Sequence, residues 1–105
     1  MSNLDNRLLL HEELCSVLGS RNVYFQPPEN MKLKYPAIIY SRSDIDQLHA
    51  NNNSYIRNHA YQIILVDPDP DSETVESILD LPMCRFDRHY VSDNLNHDVF
   101  TIYYK

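Results

Sequence analysis

A single glycine, Gly19, stands in a chain of 105 residues. That scarcity excludes the sites built on glycine-rich backbone. Dinucleotide fingerprints, phosphate-cradling loops and nucleophile elbows all need glycines where the chain turns sharply or approaches a ligand closely. The length fits one domain with one modest core. With 43% hydrophobic and 23% charged residues, the composition is that of a globular protein. Lys and Arg number 9 against 15 Asp and Glu, a net charge of -6. This balance argues against a dedicated nucleic-acid binder and against attraction to anionic membranes, since both rely on clustered cations. The longest apolar runs are a few residues, too short for a membrane helix or a secretory leader. Cys15 and Cys84 lie in apolar contexts without a CxxC spacing, which reads as free core thiols of a cytosolic protein. Eight tyrosines and no tryptophan favour sheets and interfaces, where a large ring with a polar tip is useful.

Hydrophobic periodicity predicts the elements. Over residues 3–18, Leu4, Leu8, Leu14, Cys15, Val17 and Leu18 share one broad helical face, with Leu10 at its edge and Leu9 off it. Ser2 and Asp5 have capping-box spacing, and Gly19 occupies the C-cap position. Residues 21–25 predict a short edge strand, ended by Pro27-Pro28. Residues 36–46 and 57–66 read as antiparallel partners. Their connection, 47–56, is longer than a tight hairpin requires.

The run Asp67-Pro68-Asp69-Pro70-Asp71-Ser72 breaks the sheet and opens a second helix, with Asp71 or Ser72 as cap. Glu73 and Glu76 sit near the positive end of its dipole, Val75, Ile78 and Leu79 form its apolar face, and Pro82 ends it. Residues 84–92 and 97–104 read as a hairpin turning through Ser92–Asn96, where Asp93 and Asn94 tolerate left-handed backbone. Strict alternation places Cys84, Phe86, Arg88 and Tyr90 on one face, and Arg85, Asp87, His89 and Val91 on the other. The order predicts an α+β domain: a mostly antiparallel sheet of four to five strands with two α-helices on one face. The other face is then free for partners or for water.

Little in the chain resembles reaction chemistry. Asp67-x-Asp69-x-Asp71 invites a calcium reading, but an EF-hand loop needs Gly and Glu where Ser72 and Ile78 stand, and two prolines stiffen the segment. A rigid turn and helix cap is the better account. His89 and His97 flank one hairpin and, with Asp87 or Asp98, offer a conceivable metal set; solvated cross-strand residues are the plainer reading. Nucleophilic catalysis would need Cys15, Cys84 or a serine beside a histidine, and neither cysteine has a local electropositive neighbourhood except Arg85 and Arg88. Lys32-Leu33-Lys34-Tyr35 is the one basic-aromatic cluster and reads as a solvated lead-in to a strand. The residues therefore predict no enzyme, no cofactor and no metal, and leave surface for protein contacts.

Four stretches carry a resemblance. Tyr35-Pro36-Ala37-Ile38-Ile39-Tyr40 opens a strand, and Tyr61-Gln62-Ile63-Ile64-Leu65-Val66-Asp67-Pro68-Asp69-Pro70-Asp71-Ser72 joins a strand to a helix. Leu81-Pro82-Met83-Cys84-Arg85-Phe86-Asp87-Arg88-His89-Tyr90 and Asp93-Asn94-Leu95-Asn96-His97 follow. Together they resemble the small tail terminator, or tail completion, proteins of phages and prophages with long, non-contractile tails. The likeness spans residues 35–104, and its motifs are structural rather than catalytic.

The resemblance implies a virion structural protein. Such a protein forms a hexameric ring on the last ring of the tail tube, stops polymerisation, and presents the surface for head-tail joining. Its partners are copies of itself, the tail tube protein and the head-tail connector. DNA passes through the ring without specific binding. It resides in the virion at the head-tail junction, and in host cytoplasm during assembly. A head-closure or head-tail adaptor, or a small non-viral binding module, is the alternative. Ring contacts are heterologous, one face meeting a different face of the next copy. The expected interface residues are His49, Asn51, Asn52, Asn53, Tyr55 and Arg57 in and beside the 47–56 loop, as the axial contact with the tube, together with Asp67, Asp69, Asp71, Arg88 and Tyr90. The three aspartates are also candidates for an acidic lumen that repels DNA phosphate.

Overall fold

The computed structural model describes residues 3–49 and 55–104. In chain order the elements are α1 (Asn3–Leu18), β1 (Val23–Phe25), β2 (Ala37–His49), β3 (Tyr55–Asp67), α2 (Thr74–Leu79), β4 (Cys84–Ser92) and β5 (Leu95–Tyr104). They build an α+β fold with one five-stranded sheet in the order β1-β2-β3-β5-β4. β1 runs parallel to β2, and every other pairing is antiparallel. β1 is short and lies at the edge, as expected of a strand followed by two prolines that offer no N–H to a ladder. The predicted Ser2 cap lies outside the described residues.

Both helices cover one face of the sheet. Leu10 and Leu14 of α1 and Ile78 of α2 are fully buried, and they pack with Ile38, Tyr40, Ile63, Leu65, Phe100 and Ile102. Gly19 ends α1 at φ +79° and donates its N–H to the Cys15 carbonyl at 2.9 Å, the predicted left-handed cap.

The predicted stripe on α1 needs correction. Leu10 lies at its centre rather than its edge, and Leu4 and Leu8 are about half exposed (53% and 48%). Arg7 and His11 turn inward instead. The reason is Tyr40, whose buried hydroxyl needs partners. Arg7 Nη1 donates to it at 3.4 Å, and the hydroxyl shares a 2.8 Å hydrogen bond with His11 Nδ1. The Arg7 guanidinium also lies 4.1 Å from the centre of the Phe25 ring. Burial, reinforced by the neighbouring Arg21, holds the His11 pKa below its ordinary value. A neutral ring is therefore set to accept a hydrogen bond from the tyrosine hydroxyl.

Residues 47–49 and 55–56 of the long predicted connection between β2 and β3 are strand. Pairing continues past the predicted ends to His49 opposite Tyr55. β1 stops opposite Tyr40 and β5 stops opposite His59, so the outer parts of β2 and β3 pair only with each other. A β-bulge between Arg42 and Asp44 lies two pairs before this two-stranded ribbon leaves the sheet. The molecule measures 52 × 23 × 23 Å.

The β4–β5 turn is also tighter than predicted. It is the two residues Asp93 and Asn94, at φ 54° and 62°, rather than Ser92–Asn96. Two consecutive left-handed residues form the primed turn whose twist matches a hairpin, and Asp and Asn supply it in place of glycine. The second helix is shorter and later than its expected cap. Glu73 takes the N-cap position without a side-chain cap bond, while the Ser72 hydroxyl accepts the Thr74 N–H at 3.3 Å.

Candidate interaction surfaces

The sheet face away from the helices is uncovered among the described residues. Its centre is apolar, with Ile39 opposite Ile64, and Ile64 opposite Val99. Small residues there are shielded by their neighbours: Ala37 and Val99 are fully buried, while Ile39 and Ile64 are half-buried.

A bulge sorts the β4 side chains differently from the predicted alternation. Phe86 lies opposite Phe100, but Arg88 lies opposite Val99, so Asp87 is an extra residue in the ladder. Cys84 and Phe86 therefore face the helices while Arg88 and Tyr90 face the open side, correcting the prediction that all four share a face. Asp87 is held by Arg85 Nε at 3.1 Å and by the Thr101 hydroxyl. Tyr90 stacks on His97 at 4.6 Å and 12°, and the Arg88 guanidinium lies 5.8 Å from the centre of the Tyr90 ring. The two predicted interface residues of β4 thus stand together at one border of the open face.

The same bulge separates His89 from His97. His89 faces the helices and donates from Nε2 to Asn96 Oδ1 at 3.1 Å, whereas His97 lies on the open face. The conceivable two-histidine set is not assembled. Among the described residues no three His, Cys, Asp or Glu side chains gather as a metal-holding group. Burial pushes the Cys84 thiol up to about 11 with Asp87 adding to it, and burial also raises Cys15. Both thiols stay protonated and poorly nucleophilic.

The acidic segment forms a stapled turn. Asp67 Oδ1 accepts the Asp69 N–H at 2.8 Å, and Asp69 Oδ1 accepts the Asp71 N–H at 2.9 Å. Buried Asn96 donates from Nδ2 to the Asp67 and Pro68 carbonyls at 3.2 and 3.3 Å. This matches the rigid turn expected from two prolines and three aspartates. Asp67 itself is buried, so Asp69 and Asp71 carry the exposed charge.

His49, Tyr55 and Arg57 lie on the ribbon, with His49 opposite Tyr55 and Gln47 opposite Arg57. Asn51, Asn52 and Asn53 fall outside the described residues.

Two concavities stand out. A shallow groove of about 950 Å³ runs between α2 and β4–β5, with Val75, Leu79 and Phe86 among its apolar lining and Glu73, Glu76 and Asp98 among its acids. A smaller pocket of about 250 Å³ opens where the ribbon leaves the sheet and is lined by Leu4, Arg7, Phe25, Arg42, His59 and Tyr61. Sequence reasoning missed this grouping of two arginines and a histidine, because residues 7, 42 and 59 come from three separate elements and share no local motif.

No protein-family model matches the chain, and comparison with characterised proteins and with solved structures gives no match. Among the described residues no helix is long and apolar enough to cross a membrane.

Proposed function

We propose that this chain is a virion structural protein of the tail-terminator type. It closes the end of a tail tube as a homo-oligomeric ring, halts tube growth and offers its far surface to the head-tail connector. The observation that carries the reading is the ribbon of β2 and β3, whose outer pairs, from Asp46–Asn58 to His49–Tyr55, have no other strand beside them. A paired two-stranded arm is stiffer than a loop, so it can reach a neighbouring ring with less ordering on contact. The resemblance in residues 35–104 supports the same reading, as does an open sheet face with an apolar centre. The work is geometric. Subunits meet through unlike faces, the circle closes, and DNA passes through a net-acidic ring without being held.

Replacing residues 47–57 by a two-residue Asn-Gly turn tests this reading. Asp46 and Asn58 are directly opposite, so a tight turn can join them. The shortened chain is expected to fold, with one cooperative thermal unfolding transition, and to lose capping of purified tail tubes in electron micrographs. Capping by the shortened protein would refute the ribbon's role. Rings that bind the connector alone, and never the tube, would favour a head-tail adaptor.

A further inference from the structure

We infer that the cationic pocket at the base of the ribbon receives the acidic turn of a second copy of this chain, with Asp69 and Asp71 entering beside Arg42 and His59. The inference rests on the ring reading above and names a contact that holds the ring together.

Pocket and turn are complementary in charge and in shape. The pocket is concave, and its lining includes two guanidiniums and an imidazole but no carboxylate. Arg7 is fixed there by Tyr40 and Phe25. Arg42 is exposed and makes no ion pair among the described residues. The turn is convex: Pro68, Asp69, Pro70 and Asp71 are all exposed. Its two prolines, its two aspartate-to-backbone hydrogen bonds and the Asn96 clamp fix its shape before it meets anything. A preordered segment loses little conformational freedom on docking. Among the described residues no Lys or Arg pairs with Asp69 or Asp71.

Within one molecule the two features cannot meet. His59 and Asp67 mark opposite ends of the part of β3 that pairs with β5. At about 3.3 Å per residue they are separated by roughly 26 Å. The turn of one copy must therefore enter the pocket of another. A contact between unlike ends of identical chains is heterologous, and it propagates until the circle closes.

Arg42→Asp and Asp71→Arg test the contact. Both side chains are exposed and, among the described residues, neither makes a side-chain hydrogen bond, so both variants are expected to keep the parent circular dichroism spectrum and thermal midpoint. In analytical ultracentrifugation at low salt the parent is expected to self-associate. Each variant alone brings like charges together and should associate at least about tenfold more weakly.

A 1:1 mixture restores opposite charges at every joint. The Asp71 turn of the Arg42→Asp chain meets the intact Arg42 pocket of the Asp71→Arg chain. At the next joint, the arginine introduced into one turn meets the aspartate introduced into the other pocket. Recovery of association in the mixture supports the contact. A parent that stays monomeric, variants that associate as the parent does, or a mixture that fails to recover would each overturn it. Rings that form and follow this charge pattern yet ignore tail tubes would uphold the contact and remove only the terminator role.

Discussion

At the scale of single residues, the ionisable groups inside the fold have physical causes for their behaviour. Asp98 faces the helices on β5, where burial raises its carboxyl above the ordinary 3.8, opposed by His89 and reinforced by Asp67. A raised carboxyl favours its protonated form in the folded state. That contribution is fully present below the unfolded value of 3.8 and is lost as pH rises through the folded value. At neutral pH the ionised carboxylate is therefore a cost, and Asp98→Asn should unfold at a higher temperature than the parent. The gap should narrow as pH falls toward 3.8, when followed by thermal melts across pH. A gap that stays constant with pH would contradict this account. His11 shifts the opposite way for the same reason, burial of the charged form. Neither was legible in the sequence, because a residue's solvation is set by neighbours distant in the chain.

At the scale of elements, β4 shows how one residue re-sorts a strand. Alternation requires strict pairing, and the extra Asp87 breaks it, sending everything after it to the opposite face. Deleting Asp87 should therefore be tolerated. Arg88 stays opposite Val99 and Tyr90 stays on His97, while the loss of the Arg85 and Thr101 contacts costs about 1 kcal/mol in urea unfolding. Deleting His89 instead moves Tyr90 and Val91 to wrong faces, and should abolish the Tyr90–His97 contact in nuclear Overhauser spectra. The bulge had no signature in sequence, since Asp87 is an ordinary polar position until its partner strand is known. The turn at Asp93-Asn94 was legible, because both residues tolerate left-handed backbone.

At the scale of the whole molecule, a sheet covered on one side gives adjacent residues different weights. Ile63 is fully buried under the helices, and Ile64, its neighbour, is half-buried on the open face. Ile63→Ala should cost about 2–5 kcal/mol in denaturant unfolding. Ile64→Thr should cost about 1 kcal/mol or less in the monomer. Equal losses would mean that the open face is packed in the free protein. This asymmetry was half legible: two helices are too few to cover both faces, but both isoleucines belong to one apolar run whose inward member the run itself does not mark. Ribbon length was not legible either. Residues 47–49 and 55–56 read as loop, whereas cross-strand pairing makes them strand.

The amino-acid sequence by itself determined the element order, the α+β class, the glycine cap of α1, the edge position of β1 and the rigid acidic turn. These follow from local rules of proline geometry, left-handed tolerance and apolar periodicity. The tertiary structure alone decided which way α1 faces, which side each β4 residue takes, how far the ribbon extends, and that Arg7, Arg42 and His59 line one pocket. Each of these depends on register and packing between segments far apart in the chain, where the energy lies in the contact between segments rather than in either segment alone.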